Sequence, residues 1–299
     1  FEDQRLQRAA APCFWGSLKF GHDPPIARGP ICKGRQILKA IFGCTVVLGL
    51  VFCAACEGVA SPEEYFASAQ RTAAKIERDA NDRIKREAAG ESVQYTREQL
   101  RVAEGDLEAL VDNLKHASDG GHTLATYFLA SLQDNPMFSE QTRLQTCGLY
   151  QQAMDDGLLA AAVGYYHLCD KAYERFDAQN PDHLKFLQSL EQLLLKPDTH
   201  ADDYPLQAKR SLCFEENGAP ASRVGPMAAM RARAAGLVLS EDQFRAEAYY
   251  ILALTRVNGS DLRDSGNIEH FDKAIALGCK DSVGLKAILQ AQSRLSKNH

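Results

Sequence analysis

Tyr150-Gln151-Gln152-Ala153-Met154-Asp155-Asp156-Gly157 and Phe271-Asp272-Lys273-Ala274-Ile275-Ala276-Leu277-Gly278 share one spacing: a large residue, an alanine three positions on, and a glycine four further. Residues three and four apart lie on one face of a helix, so the large residue and the alanine form a buried stripe. The small alanine lets a neighbouring helix approach closely. A glycine just past the last turn takes the left-handed conformation that ends a helix. Each of these eight-residue words therefore reads as the end of a packed helix.

The pattern recurs. Leu114-x-x-Ala117-x-x-x-Gly121 and Ala229-x-x-Ala232-x-x-x-Gly236 are weaker copies, and Leu190-x-x-Leu193-x-x-x-Pro197 is a degenerate one. The terminators 121, 157, 197, 236 and 278 lie 36, 40, 39 and 42 residues apart. A regular period of this length is the mark of a repeat architecture. Each terminator is followed by a second apolar stretch, clearest in Leu124-Ala125-Thr126-Tyr127-Phe128-Leu129-Ala130 and in Ala246-Glu247-Ala248-Tyr249-Tyr250-Ile251-Leu252. One helix pair cannot bury both its faces, so pairs stack. The expected fold is all-α, an α-solenoid of antiparallel helix pairs in about four repeats of 36–42 residues.

Ala246-Glu247-Ala248-x-Tyr250-x-Leu252-Ala253, then Asn258-Gly259, Phe271-x-x-Ala274 and Gly278, resembles a Sel-one-like repeat, a close relative of the tetratricopeptide repeat. His122 to Leu159 resembles a second copy. The resemblance covers roughly residues 117–290 and is weakest over 172–235, where Asn180-Pro181, Lys196-Pro197 and Tyr204-Pro205 break the pattern. It implies a scaffold or adaptor that assembles other proteins, often at a bacterial envelope, with no fixed ligand.

Four regions follow. Residues 117–299 form the repeat domain, and residues 57–116 a charged helical N-terminal region. In the latter, Ser61-Pro62-Glu63-Glu64 and Thr96-Arg97-Glu98-Gln99 read as capping boxes. The first helix shows a stripe of Tyr65, Ala69, Thr72, Ile76, Ala80 and Ile84, and the second one of Leu100, Ala103, Leu107, Leu110 and Leu114. They pair as a hairpin at the start of the array, or else form a solvated spacer.

Residues 33–56 form an export signal. Lys33, Arg35 and Lys39 precede an uncharged run of 17 residues, Ala40 to Cys56. As a helix it spans roughly 25 Å, short of the roughly 30 Å hydrocarbon core. Its ending in Cys53-Ala54-Ala55-Cys56 resembles a bacterial lipoprotein signal, which implies lipid attachment at Cys56. Cys53 stands where such signals usually carry leucine. Glu57 after the cysteine implies, by the same resemblance, the outer membrane. Two other readings stay open, cleavage after Gly58-Val59-Ala60 and an uncleaved anchor. All three put the body outside the cytoplasm. Residues 1–32 show neither helical nor strand period and stand outside the fold.

Residues 1–55 hold seven basic and three acidic side chains, which leaves the rest of the chain at a net −9. A body this acidic repels phosphate backbones and argues against nucleic acid as its main partner. The expected partners are proteins, and the membrane through the lipid.

Chemistry is sparse. Four cysteines, Cys147, Cys169, Cys213 and Cys279, lie in the body, and no Cys-x-x-Cys or paired histidines suggest a metal. Cys147 lies ten residues before Gly157 and Cys169 twelve after it. On antiparallel neighbours those positions have similar height, so a disulfide is sterically reasonable, with separate buried thiols as the alternative. A branch of the repeat family is disulfide-stapled, although its cysteine spacing is not reproduced.

His116, His122, His167, His183, His200 and His270 fall in loops and helix ends and read as surface residues. Asp202-Asp203 and Glu215-Glu216 read as solvated turns. No phosphate loop, nucleophile elbow or His-Glu-x-x-His is present. The expectation is a binding protein with no catalytic residue and no cofactor, its contacts drawn from Tyr127, Tyr165, Tyr166, Tyr249 and Tyr250. A polysaccharide-binding module and a cell-wall or β-lactam-acting enzyme are the alternatives.

Overall fold

The computed structural model describes residues 60–134, 139–172, 177–214, 236–259 and 265–297. These are mostly helical. In chain order the helices are α1 (Pro62–Ala88), α2 (Arg97–Asp119), α3 (Thr123–Gln133), α4 (Glu140–Asp155), α5 (Leu159–Leu168), α6 (Pro181–Leu195), α7 (Glu241–Gly259), α8 (Ser265–Ala276) and α9 (Asp281–Lys297). Packing follows chain order: α1 on α2, α2 on α3, α3 on α4, α4 on α5, then α5 and α6 on α7, α7 on α8, and α8 on α9.

Three of the glycine terminators are built alike. Gly121, Gly157 and Gly278 have φ of 89°, 98° and 98°. In each, the alanine of the repeated word accepts the amide one residue past the glycine: His122 to Ala117, Leu158 to Ala153, and Cys279 to Ala274, at 3.0–3.1 Å. This reversed last turn satisfies carbonyls that a helix end leaves open. The stripes above them are buried as pairs, Leu114 with Ala117, Tyr150 with Ala153, and Phe271 with Ala274.

The other two positions differ. Lys196, extended, ends α6 ahead of Pro197. Gly236 also has positive φ, yet it leads into a strand. Ala229 and Ala232 lie outside the described residues. Two short strands, β1 (Leu206–Ala208) and β2 (Leu237–Leu239), pair antiparallel with Leu206 opposite Leu239. An all-helical expectation is therefore corrected within the stretch where prolines broke the repeat. Leu206, Leu237 and Leu239 enter the main core, so burial rather than helical period organises these residues.

Both capping boxes of the N-terminal region form, at Ser61 with Glu64 and at Thr96 with Gln99. The helices they open make a hairpin, tied by Lys75–Asp106 at 2.6 Å and by Arg83 over the Tyr95 ring at 4.7 Å. Its base joins the main core through Phe66, Ala69, Ala73, Leu110, Leu114 and Ala117. Its far part faces solvent. The expected stripe on α1 packs at Tyr65, Ala69 and Ile76, joined by Phe66 on His122 and Phe128 and by Ala73, while Ile84 at its outer end is 50% exposed. Leu107 is exposed too. Among the described residues the packing onto α3 comes from the lower part of the hairpin, so apolar residues farther out are left exposed.

α7 carries the core onward. Phe244, Ala248, Ile251 and Leu252 face the main cluster, while Ala246, Tyr250 and Ala253 face a smaller one with Phe271, Ala274, Cys279 and Leu289.

Candidate functional site

Polar chemistry in the interior gathers where α3, α4, α5, α7 and the segment after β1 meet. Asp134 ends α3 and its side chain is buried. The Tyr150 hydroxyl lies 3.4 Å from Asp134 Oδ2, and the Arg210 guanidinium 3.6 Å from Oδ1. Burial pushes the Asp134 carboxyl above its usual range, opposed by the charges of Arg210 and Lys209. The same burial pulls Lys209 down, opposed by Asp134, and raises the Tyr127 and Tyr150 phenols. Tyr127 donates to the Gln207 carbonyl, which ties α3 to β1.

A second buried carboxylate lies one layer away. Glu247, on α7, is 0% exposed. Oε2 accepts from Ser211 Oγ at 2.7 Å and from the Cys213 amide at 3.1 Å; Oε1 accepts the Leu212 amide and lies 3.3 Å from His167 Nε2. Arg210 in turn donates to the His167 carbonyl at 2.9 Å. Glu247 belongs to the motif Ala246-Glu247-Ala248, and its charge lies in the interior rather than in solvent. A buried charge is tolerated when hydrogen-bonded on all sides, and the turn 211–213 supplies the donors.

The cavity among Tyr127, Asp134, Tyr150, His167, Lys209 and Arg210 offers about 10 Å³ to the centre of a water molecule, which is room for about one water. α4 and α5 approach so closely that a Cβ on Gly164 would lie 2.5 Å from the Tyr150 ring. In chemical terms the cluster is a buried carboxylate facing two cations: Asp134 Oδ1 has no hydrogen-bond partner and meets Arg210 as an ion pair.

Two disulfides staple the same region. Cys147 on α4 and Cys169 at the end of α5 are joined, with Cα atoms 5.7 Å apart. Cys213 and Cys279 are joined at 4.6 Å, tying the Glu247-bound turn to the cap of α8. That second pair was not foreseen. Four body cysteines with 147 paired to 169 leave only this partnership, an arithmetic signal the sequence did contain. Cys56 lies outside the described residues.

The first bridge closes a loop of 22 residues, for which chain entropy suggests about 3 kcal/mol. Peptide mapping of non-reduced protein from its native compartment should recover Cys147 linked to Cys169, and Cys147→Ser with Cys169→Ser should lower unfolding free energy by about that amount. Complete alkylation of both native thiols would contradict this.

The histidines are corrected from surface to interior in three cases. His183 is buried with its Nδ1 2.5 Å from Asp170 Oδ2, and His167 and His270 are mostly buried beside Glu247 and Glu191. His122 caps α3, accepting the Ala125 amide at 3.4 Å, and burial lowers its pKa. His200 pairs with Asp203 at 3.1 Å. Among the described residues no group of three or more His, Cys, Asp or Glu has the arrangement of a metal site. Of the five tyrosines singled out, Tyr127, Tyr166 and Tyr250 are core, and Tyr165 and Tyr249 are half-buried. Glu215 and Glu216 lie outside the described residues.

Against family models, curated proteins and solved structures, the chain finds no match in any of the three. Among the described residues, no helix is long and apolar enough to cross a membrane.

Proposed function

We propose that this chain is an envelope-localised scaffold: an α-solenoid of Sel-one-like helix pairs, lipid-anchored at Cys56, that binds protein partners on its surface. The observation that carries the reading is the pair of disulfides, one between the packed helices α4 and α5 and one from the 211–213 turn to the cap of α8. Disulfides persist in oxidising compartments, and the basic flank and short apolar run ending at Cys56 supply a route to one. The recurring alanine–glycine caps support the repeat register. A stacked helical array offers extended surface rather than a deep pocket. Leu195, 77% exposed on α6, and Leu144, 60% exposed on α4, give that surface aliphatic contact points.

Intact-mass analysis of the native protein tests the anchor. The expected species begins at Cys56 with diacylglyceryl and acyl groups attached. A chain beginning at Ser61 without lipid rejects the anchor and keeps export. In-cell cross-linking tests the binding reading. A defined protein partner should be recovered with the native chain and lost with Leu195→Arg and Leu144→Arg together. Sedimentation of the purified chain with cell wall, in the absence of any protein partner, would replace the protein ligand with a polysaccharide.

A further inference from the structure

The two disulfides sit in opposite surroundings. Cys213 and Cys279 are 7% and 1% exposed, within the smaller core. Cys213 Sγ lies 3.8 Å from the Ala246 carbonyl, and Ser282 Oγ donates to Cys279 Sγ at 3.0 Å. Cys147 and Cys169 are only half-buried, at the margin of the main cluster. Around Cys147 the surface of α4 is open. Leu144 is 60% exposed, Gln145 and Gly148 are exposed too, and a Cβ on Gly148 would meet nothing within 4 Å. A disulfide opens when a thiolate attacks one of its sulfurs, so access decides which of two bonds opens first.

The helices that carry the accessible bond do not depend on it alone. Tyr150, three residues past Cys147, lies so close to α5 that a Cβ on Gly164 would be 2.5 Å from its ring. The end of α5 is held by Arg210 donating to the His167 carbonyl at 2.9 Å and by the Cys169 amide donating to the Tyr165 carbonyl at 2.7 Å. Next to Cys169, the buried Asp170 lies 2.5 Å from His183 of α6. With the bond open, these contacts keep the two thiols as neighbours, near enough to rejoin.

We propose that Cys147 and Cys169 form a reversible thiol–disulfide exchange site, opened by a dithiol reductant while the Cys213–Cys279 bond stays closed. A thiolate of the dithiol attacks Cys147 Sγ, the sulfur on the open face of α4. The Cys147–Cys169 bond breaks, a mixed disulfide forms, and Cys169 leaves as a thiolate that takes a proton from water. The second thiolate of the dithiol attacks its own bridging sulfur and releases Cys147. The protein gains two electrons and two protons, and the dithiol becomes a disulfide. The reverse sequence closes the bond. A thiol beside a second, resolving thiol is the arrangement found in redox-sensing pairs. The inference goes beyond the scaffold reading, which needs only that both bonds form.

Graded dithiothreitol on the oxidised full chain, in neutral detergent at neutral pH and without denaturant, tests it. Thiols released at successive times are alkylated and located by peptide mapping. Cys147 and Cys169 should be alkylated at least about tenfold faster than Cys213 and Cys279. Helical circular dichroism should hold at the stage where only the first pair is open. Oxidised glutathione should then restore Cys147 linked to Cys169, with the other bond untouched. Simultaneous opening of the two bonds overturns the proposal and leaves the scaffold reading standing. Earlier opening of Cys213–Cys279, loss of helix in step with the first alkylation, or reclosure into other pairings does the same. Native protein whose four thiols are alkylated without reductant removes the exchange site and the compartment argument together.

Discussion

Glu247→Ala should lower the unfolding free energy by about 3–5 kcal/mol, the cost typical of breaking a buried charge network from one side. The carboxylate receives Ser211 Oγ and the amides of Leu212 and Cys213 and adjoins His167. Its removal leaves those donors buried and unsatisfied, each an added penalty. The turn they form also carries Cys213, so the disulfide to Cys279 would then be anchored to a loosened segment. Urea titration with the disulfides intact measures the loss. Glu247→Gln should fall between, because the amide keeps an acceptor oxygen but turns two donors toward donors. A change under about 0.5 kcal/mol in Glu247→Ala, the size expected of an exposed residue, would remove the buried network from the account.

Ala274→Glu should cost at least about 4 kcal/mol. Ala274 is fully buried in the smaller core with Phe271, Cys279 and Leu289, and its carbonyl closes the cap at Gly278. A glutamate there is both oversized and unpaired. Ala153→Glu should act alike, as the same place in the Gly157 cap. The two variants should differ in where the damage appears. The smaller cluster is separate from the main one, so Ala274→Glu should expose amides of α8 and α9 to hydrogen exchange while α2 and α3 stay protected. Simultaneous loss of protection throughout the chain would argue for one cooperative core. Full stability of both variants would undo the repeat register.

Much of the local structure is written in short-range pattern. Ser61 and Thr96 sit three residues before Glu64 and Gln99, and both boxes close because capping needs only neighbours. Gly121, Gly157 and Gly278 end helices in one way because the left-handed turn is open to a residue without Cβ. Glu247 was legible as well. It falls three after Phe244 and four before Ile251, both core residues, so helical period alone puts it on the buried face. Its charge points the other way, since a carboxylate is rarely buried without partners. Its partners lie at Ser211, Leu212 and Cys213, about thirty-five positions away.

The sequence by itself determined that this chain is mostly helical, where several of its helices end, and which alanines lie against a neighbour. These depend on contacts within about one turn, which periodicity and capping residues encode directly. The tertiary structure alone decided that Asp134, Arg210 and Lys209 share one junction, that the 211–213 turn closes on Glu247, that 206–208 pairs with 237–239, and that Cys213 reaches Cys279. Such meetings are set by how whole helices stack. A buried charge is acceptable only once distant donors have been brought around it, and no local pattern records which donors those will be.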